Sequence, residues 1–200
     1  MTARRRLALG LAGVGATASV VRRDRVGARE LAAFRAVNDL PDGVYRPVWV
    51  VMQAGALGAA PVAAAVAGAT GRRALAGQLL VDGVAAWVAA KVVKRFVERP
   101  RPVEFVETMR HRGQEATGLG YVSGHAAVVT ALAAAAVPSL GPRGRAAVGA
   151  TVPTVGLARV YVGAHLPLDV VGGSALGLAV DAAVTLLGAS LRSRFGQARR

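Results

Sequence analysis

The chain has 200 residues, enough for one domain, and 54% of them are hydrophobic although only 4% are aromatic. Cysteine is absent, which excludes disulfides, thiolate nucleophiles and cysteine-ligated metals. The net charge of +14 would suit nucleic acid, but the arginines stand in short clusters between apolar runs. That distribution is typical of loops that flank membrane spans. The composition therefore predicts a single all-α membrane domain over residues 1–200, with no nucleic-acid partner.

Six apolar stretches between the charge clusters predict a six-helix transmembrane bundle. A membrane-spanning helix needs roughly 20 mainly apolar residues. The candidate spans are Leu7–Val21, Pro47–Thr70, Ala74–Ala90, Val122–Leu140, Ala146–Val162 and Val170–Leu191. The first is short enough to resemble a signal-peptide core. We expect it to be retained, because no small-x-small cleavage site follows it before the next arginines.

Between the first two spans, residues 28–40 place Leu31, Phe34 and Val37 near one face, among charged residues. This pattern predicts an amphipathic interfacial helix, or equally a loop helix that covers the bundle. Inside the third and sixth spans lie Asp82 and Asp181. An ionisable group at membrane depth is a functional candidate by default. We assign neither a catalytic role, because nothing adjacent in sequence supplies a second catalytic group.

Polar residues suited to phosphate chemistry occur at span ends in three clusters, residues 94–102, 121–125 and 158–169. Lys94, Arg101 and Arg159 offer the fixed cations that a transferring phosphoryl group needs. Ser123 and Gly124, at the head of a helix, add backbone N–H groups that bind anions. With six alternating spans, all three clusters fall on one side of the membrane. We therefore predict a phosphate site there, although each cation taken singly would suit a headgroup contact.

The histidines supply a nucleophile and an acid. His165 precedes Asp169 by four residues, a spacing that on a helical turn lets the carboxylate orient the imidazole and stabilise its charged form. Because a neutral imidazole nitrogen can attack phosphorus, we predict His165 as the nucleophile. His125, from a different span, would protonate the leaving alkoxide and later activate water.

The same residues resemble the three-part signature of the type 2 phosphatidic acid phosphatase superfamily. Lys94-x6-Arg101-Pro102, Ser123-Gly124-His125 and Arg159-x5-His165-x3-Asp169 match it in order and spacing. The resemblance covers about residues 28–187. It implies a six-helix membrane core, the residue roles given above and an active site on the outer face of the membrane. Alanine- and arginine-rich usage suggests a bacterium, and therefore its inner membrane.

Two positions depart from the family pattern. Val122 stands where the family usually has Pro, and Ala158 where it usually has Ser. Neither change removes a proposed catalytic atom, so we expect altered rate or selectivity with activity retained. The long loop between the first two clusters carries His111 and Arg112, which we expect on a solvated face that shapes the entrance.

The sequence therefore predicts a membrane phosphatase that hydrolyses a phosphomonoester or pyrophosphate on a lipid through a phosphohistidine, with no metal or cofactor. Phosphatidic acid, phosphatidylglycerophosphate, polyprenyl phosphates or pyrophosphates and polyprenyl-linked sugar phosphates all present the same group. Two alternatives stay open. One is a catalytically inactive lipid-binding scaffold of the same fold. The other is an enzyme like the vanadium-dependent haloperoxidases, which share the phosphate pocket but are soluble and larger.

Overall fold

The computed structural model describes residues 1–197, and every regular element in that range is helical. The predicted all-α fold is confirmed. The helices, in chain order, are α1 (Ala3–Arg23), α2 (Ala28–Asn38), α3 (Tyr45–Met52), α4 (Ala59–Ala69), α5 (Arg73–Val97), α6 (Gly124–Ala136), α7 (Pro142–Tyr161) and α8 (Pro167–Gln197).

Local sequence explains where the helices near the polar clusters begin and end. α6 begins after Ser123, whose side chain accepts a hydrogen bond from the helix. α7 and α8 each begin with a proline, Pro142 and Pro167, at the position where a missing N–H costs nothing. α5 ends at Val97 because Glu98 takes the left-handed conformation at φ 51° and Pro100 follows. The polar clusters therefore lie at helix ends.

α6 is the centre of the bundle and packs against α5, α7 and α8. Small residues make the close packing possible. Gly173 and Gly177 of α8 lie against the backbone of α6 near Ser123 and Ala127. At Gly10 of α1, a Cβ would lie 2.7 Å from backbone atoms of α8. These contacts are the kind that small residues permit between membrane helices.

The segment predicted as the second span, residues 47–70, is not one straight helix. α3 and α4 are separated by a 3₁₀ turn, Gln53–Gly55, and the two segments are bent by 71°. Gly55 lies in this break, and a Cβ there would be 2.6 Å from the carbonyl oxygen of His125. Glycine at this position therefore lets the chain approach the start of α6 closely.

The other predicted spans coincide with helices but differ from them in length. α5 continues past the predicted span 74–90 to Val97, whereas α6 ends at Ala136, before the predicted end at Leu140. Within residues 1–197, Arg73–Glu104 and Pro167–Arg194 are long and apolar enough to cross a bilayer, and the bent pair makes a third if it is one span. α1 and α7 are not apolar enough by this measure because they carry several arginines. α6 is apolar but too short to cross a bilayer by itself.

α2 covers one side of the bundle and packs against α7 and α8. Phe34 is fully buried among Val106, Val160 and Leu166. Glu30 lies on the same helix and is also buried. The predicted helix is present, and its apolar face contacts protein, as expected for a helix that covers the bundle.

Candidate active site

Hydrogen bonds join the three polar clusters at one end of the bundle. The Nζ of Lys94, near the end of α5, donates to the carbonyl oxygen of Gly120 at 2.8 Å. Arg101 Nη1 donates to the carbonyl oxygen of Ala164 at 2.6 Å. The first cluster thus contacts the third directly and the second through Gly120, the residue that precedes it. Because Lys has three donors and Arg five, each cation keeps N–H groups beyond these bonds.

Ser123 connects the second cluster to the third. Its N–H donates to the carbonyl oxygen of Asp169 at 2.8 Å. Its Oγ accepts from the N–H of Ala126 at 3.4 Å, which leaves the hydroxyl hydrogen available to donate. Gly124 is the first residue of α6, where backbone N–H groups have no partner within the helix. This helix start therefore offers an anion both N–H donors and the positive end of the helix dipole.

The Asp169 carboxylate faces the imidazole of His165, with Nδ1 and Oδ2 separated by 3.5 Å. That separation is long for a hydrogen bond. Two shorter bonds fix the carboxylate itself. Oδ2 accepts from the N–H of Leu166 at 2.9 Å, and Oδ1 accepts from Arg99 Nη1 at 2.7 Å. Asp169 is therefore oriented more firmly by these two donors than by the histidine.

His165 is buried, with its side chain 3% exposed. Burial lowers the pKa of His165 well below its usual value, and the charges of Lys94, Arg159 and Arg101 lower it further. At neutral pH the ring is therefore uncharged, the state in which its nitrogen is a nucleophile.

Arg159 and His125 line a cavity of about 350 Å³ between α3 and the loop that precedes α6. Arg159 Nη1 contacts the Sδ of Met52 at 3.1 Å, and a thioether is a weak acceptor. Among the described residues, Arg159 Nε is buried without a hydrogen-bond partner. Arg159 therefore has donors available for an anion. The other residues that line the cavity are Tyr45, Trp49, Met52, Gln53, Arg112, Gln114, Glu115, Ala116 and Val162.

Arg99, which has no predicted role, lies behind Asp169 and is 1% exposed. It makes five hydrogen bonds. Nε and Nη2 donate to the carbonyl oxygen of Arg25 at 2.9 and 2.5 Å, and Nη1 and Nη2 donate to the carboxylate of Glu30 at 3.1 and 2.5 Å. The fifth is the bond to Asp169. A lone arginine near a span end resembles a headgroup contact, and 69 residues separate Arg99 from Glu30, so no local pattern indicates the pair.

The loop that precedes α6 is held by Arg112. Arg112 Nη1 donates to the carbonyl oxygens of Asn38 and Tyr161 at 2.8 and 2.6 Å, and its guanidinium lies 4.0 Å from the centre of the Tyr161 ring. The expectation of a solvated face is wrong at Arg112, which is buried, whereas His111 is exposed. Arg112 also lines the cavity beside His125.

Comparisons with known proteins give one family and one fold. The model of the PAP2 superfamily matches residues 74–192, which include all eight predicted site residues. The crystal structure of Aquifex aeolicus LpxE is similar, with a TM-score of 0.73 and 19% identity over 80% of this chain and 96% of that one. The crystal structure of the first transmembrane PAP2 type phosphatidylglycerolphosphate phosphatase from Bacillus subtilis has a TM-score of 0.69 and 21% identity, covering 91% and 96%. Among curated proteins, none matches the sequence significantly.

Proposed function

We propose that this chain, which belongs to the PAP2 superfamily of membrane lipid phosphatases, hydrolyses a phosphomonoester or pyrophosphate on a lipid through a phosphohistidine intermediate. The family makes the chain a membrane enzyme that hydrolyses lipid phosphates, and this disfavours the inactive scaffold and the haloperoxidase. One observation above all supports the mechanism. Three distant polar segments are hydrogen-bonded together around the neutral, buried His165, with unused donors of Arg159 nearby.

In the first step, His165 Nε2 attacks phosphorus, and the bond from phosphorus to the lipid oxygen breaks. His125 gives its proton to that leaving oxygen. Asp169 stabilises the positive charge that the His165 ring acquires. The non-bridging oxygens are held by the fixed donors, namely Lys94, Arg101, Arg159, Ser123 and Gly124.

In the second step, His125 takes a proton from water, and the resulting hydroxide attacks phosphorus. The bond between phosphorus and His165 breaks, inorganic phosphate leaves and both histidines return to their starting states. Fixed cations and N–H donors supply the charge stabilisation throughout, so the proposed chemistry needs no metal or cofactor.

The cavity beside His125 supports a lipid alcohol as the leaving group. Because His125 is the proposed acid, the alcohol must depart into the space that His125 lines. Trp49 borders the same cavity and is 47% exposed, a placement that suits contact with the interfacial part of a lipid. Phosphatidic acid, phosphatidylglycerophosphate, polyprenyl phosphate or pyrophosphate and a polyprenyl-linked sugar phosphate are the candidate substrates.

For the membrane arrangement we propose six spans within a single domain over residues 1–200. α1, the bent pair α3–α4, α5, α6, α7 and α8 each cross once. The polar clusters lie at the ends of α5 and α7 and at the starts of α6 and α8, as alternating directions require. α6 is short but is surrounded by other helices, so it need not match the bilayer by itself. The active site would then lie on the outer face of a bacterial inner membrane.

The test is phosphate release by the purified protein in detergent micelles. The substrates are phosphatidic acid, phosphatidylglycerophosphate, undecaprenyl phosphate, undecaprenyl pyrophosphate and a polyprenyl-linked sugar phosphate. We expect inorganic phosphate from at least one of them, inhibited by vanadate and absent in His165→Ala. Rapid quenching should trap a phosphoprotein that is labile in acid and stable in alkali. The proposal fails if none of the lipids is hydrolysed, or if His165→Ala retains the activity.

A further inference from the structure

Behind the proposed nucleophile, buried charged side chains form a continuous series that starts on α2. Glu30 Oε2 and Arg99 Nη2 are 2.5 Å apart, and Arg99 Nη1 and Asp169 Oδ1 are 2.7 Å apart. All three side chains are at most 6% exposed. Asp169 in turn faces His165. The series joins a helix outside the family-matched residues 74–192 to the proposed catalytic histidine.

Glu30 also contacts the helix that carries Asp169. Its Oε1 accepts from the N–H of Leu168 at 2.8 Å, and Asp169 Oδ2 accepts from the N–H of Leu166. The two carboxylates thus accept hydrogen bonds from backbone N–H groups at the start of α8, where negative charge is favourable. Arg99 lies between them and is the cation that both contact. The five bonds of Arg99 use its planar fork, a geometry that a lysine ammonium cannot reproduce.

Asp169 must be ionised and correctly aimed when the His165 ring becomes charged. The distance of 3.5 Å from Nδ1 to Oδ2 is too long for the histidine to enforce that orientation. Arg99 holds the other carboxylate oxygen at 2.7 Å. Arg99 therefore orients Asp169 together with the N–H of Leu166, and Glu30 orients Arg99 together with the carbonyl oxygen of Arg25. Arg99 is not among the residues that line the cavity beside His125.

We propose that Arg99 and Glu30 are positioning residues for phosphoryl transfer, which act on His165 only through the Asp169 carboxylate. This inference rests on the proposed function. It adds that the site is supported by the α2 segment with Glu30, which lies outside residues 74–192, the part that the family model matches.

The first experiment compares Arg99→Gln with Arg95→Gln, which removes the same charge from an exposed position near the end of α5. We expect Arg99→Gln to lower kcat by about 10–100-fold, as loss of an outer positioning contact typically does. KM and the vanadate inhibition constant should stay within about threefold of wild type, because Lys94, Arg101 and Arg159 are intact. Arg95→Gln should match wild type. An unchanged kcat, or a loss confined to KM, would overturn the proposal.

The second experiment separates positioning from a general structural defect. In an Asp169→Asn background, adding Arg99→Gln should lower kcat no further, because the group through which Arg99 acts is already lost. Multiplying losses would overturn the proposal. Arg99→Lys should recover only part of the Arg99→Gln loss, and full recovery would contradict a role for the guanidinium fork.

Glu30→Gln provides a milder variant if Arg99→Gln fails to fold. Its amide oxygen still accepts one bond, so we expect a loss in kcat of about 3–10-fold with KM unchanged. Glu107→Gln, an exposed carboxylate in the loop, is the matched control. Wild-type kcat in Glu30→Gln would overturn the role of α2. Failure of the proposed function is distinguishable, because wild-type protein would then release no phosphate from any lipid.

Discussion

Two groups of buried charges lie at different levels of the bundle, one around His165 at the start of α8 and one around Asp181 near the middle of that helix. In the second, Arg6 Nη2 lies 3.3 Å from Asp181 Oδ2, and Gln78 Nε2 donates to Asp181 Oδ1 at 3.4 Å. Asp82 lies one helical turn beyond Gln78 on α5 and is fully buried, and within the part of the chain that the structure describes neither of its carboxylate oxygens has a hydrogen-bond partner. Residues 169 to 181 of α8 span about 18 Å at roughly 1.5 Å per residue, so the two groups are well separated.

The difference lies in the balance of charge. Around His165 stand four cations, which are Lys94, Arg99, Arg101 and Arg159, against the two carboxylates of Glu30 and Asp169. A phosphate dianion would neutralise the two positive charges in excess. In the Asp181 group, one arginine faces two carboxylates, and no histidine lies among them. A buried charge in a membrane helix is thus a functional candidate, but a surplus of donors beside a nucleophile distinguishes the catalytic group.

The largest effect should come from removing the nucleophile. His165→Ala should lower kcat/KM by at least about 10⁴-fold, because the phosphohistidine cannot form. Asp82→Asn changes an equally buried residue in the other group and should keep kcat within about threefold per folded molecule. Steady-state phosphate release, normalised to folded protein by size-exclusion chromatography, measures both. Equal losses in the two variants would erase the distinction between the groups.

Two matched substitutions on α8 form the next comparison. Asp169→Asn should lower kcat by roughly 10²–10⁴-fold, since the amide cannot stabilise the charged imidazole. Asp181→Asn makes the same chemical change further along the helix and should leave kcat within about threefold, because it contacts no reacting group. The measurement is kcat of both variants on the same lipid substrate. A large loss of kcat in Asp181→Asn would give the second group a catalytic role that its charges do not predict.

Sequence and structure agree where local patterns carry the information. The site clusters occupy helix ends, and a fixed spacing such as that of His165 and Asp169 is visible in the chain itself. What the sequence missed depends on distant contacts. The apolar run over residues 47–70 contains Gly55, Gly58 and Pro61, which are breaker residues, but they do not by themselves show a bend of 71°. The close approach of Gly55 to His125 is visible only in the structure. Arg99 is likewise explained only by Glu30, which lies on a separate helix.

A smaller effect, on stability, should follow from disturbing the Asp181 group. Arg6→Gln leaves Asp181 and Asp82 buried without their cation and should lower the free energy of unfolding by about 1–3 kcal/mol. The value is moderate because the Arg6 side chain is 16% exposed. Turnover per folded molecule should be unchanged. Denaturant titration in mixed micelles measures the first quantity and phosphate release the second. A loss of turnover without a loss of stability would contradict a purely structural role.

The smallest expected effect is that of a metal chelator. If the surplus of fixed cations around His165 supplies the charge that stabilises the transferring phosphoryl group, millimolar EDTA should leave kcat within about twofold. The measurement compares phosphate release before and after extensive dialysis against EDTA, with magnesium added back at the end. Divalent cations also bind anionic lipids, so the control is an uncharged detergent with a short-chain substrate below its micellar concentration. Activity that disappears under those conditions and returns with magnesium would mean that the cations of the bundle are insufficient, and the contrast between the two buried groups would no longer explain catalysis.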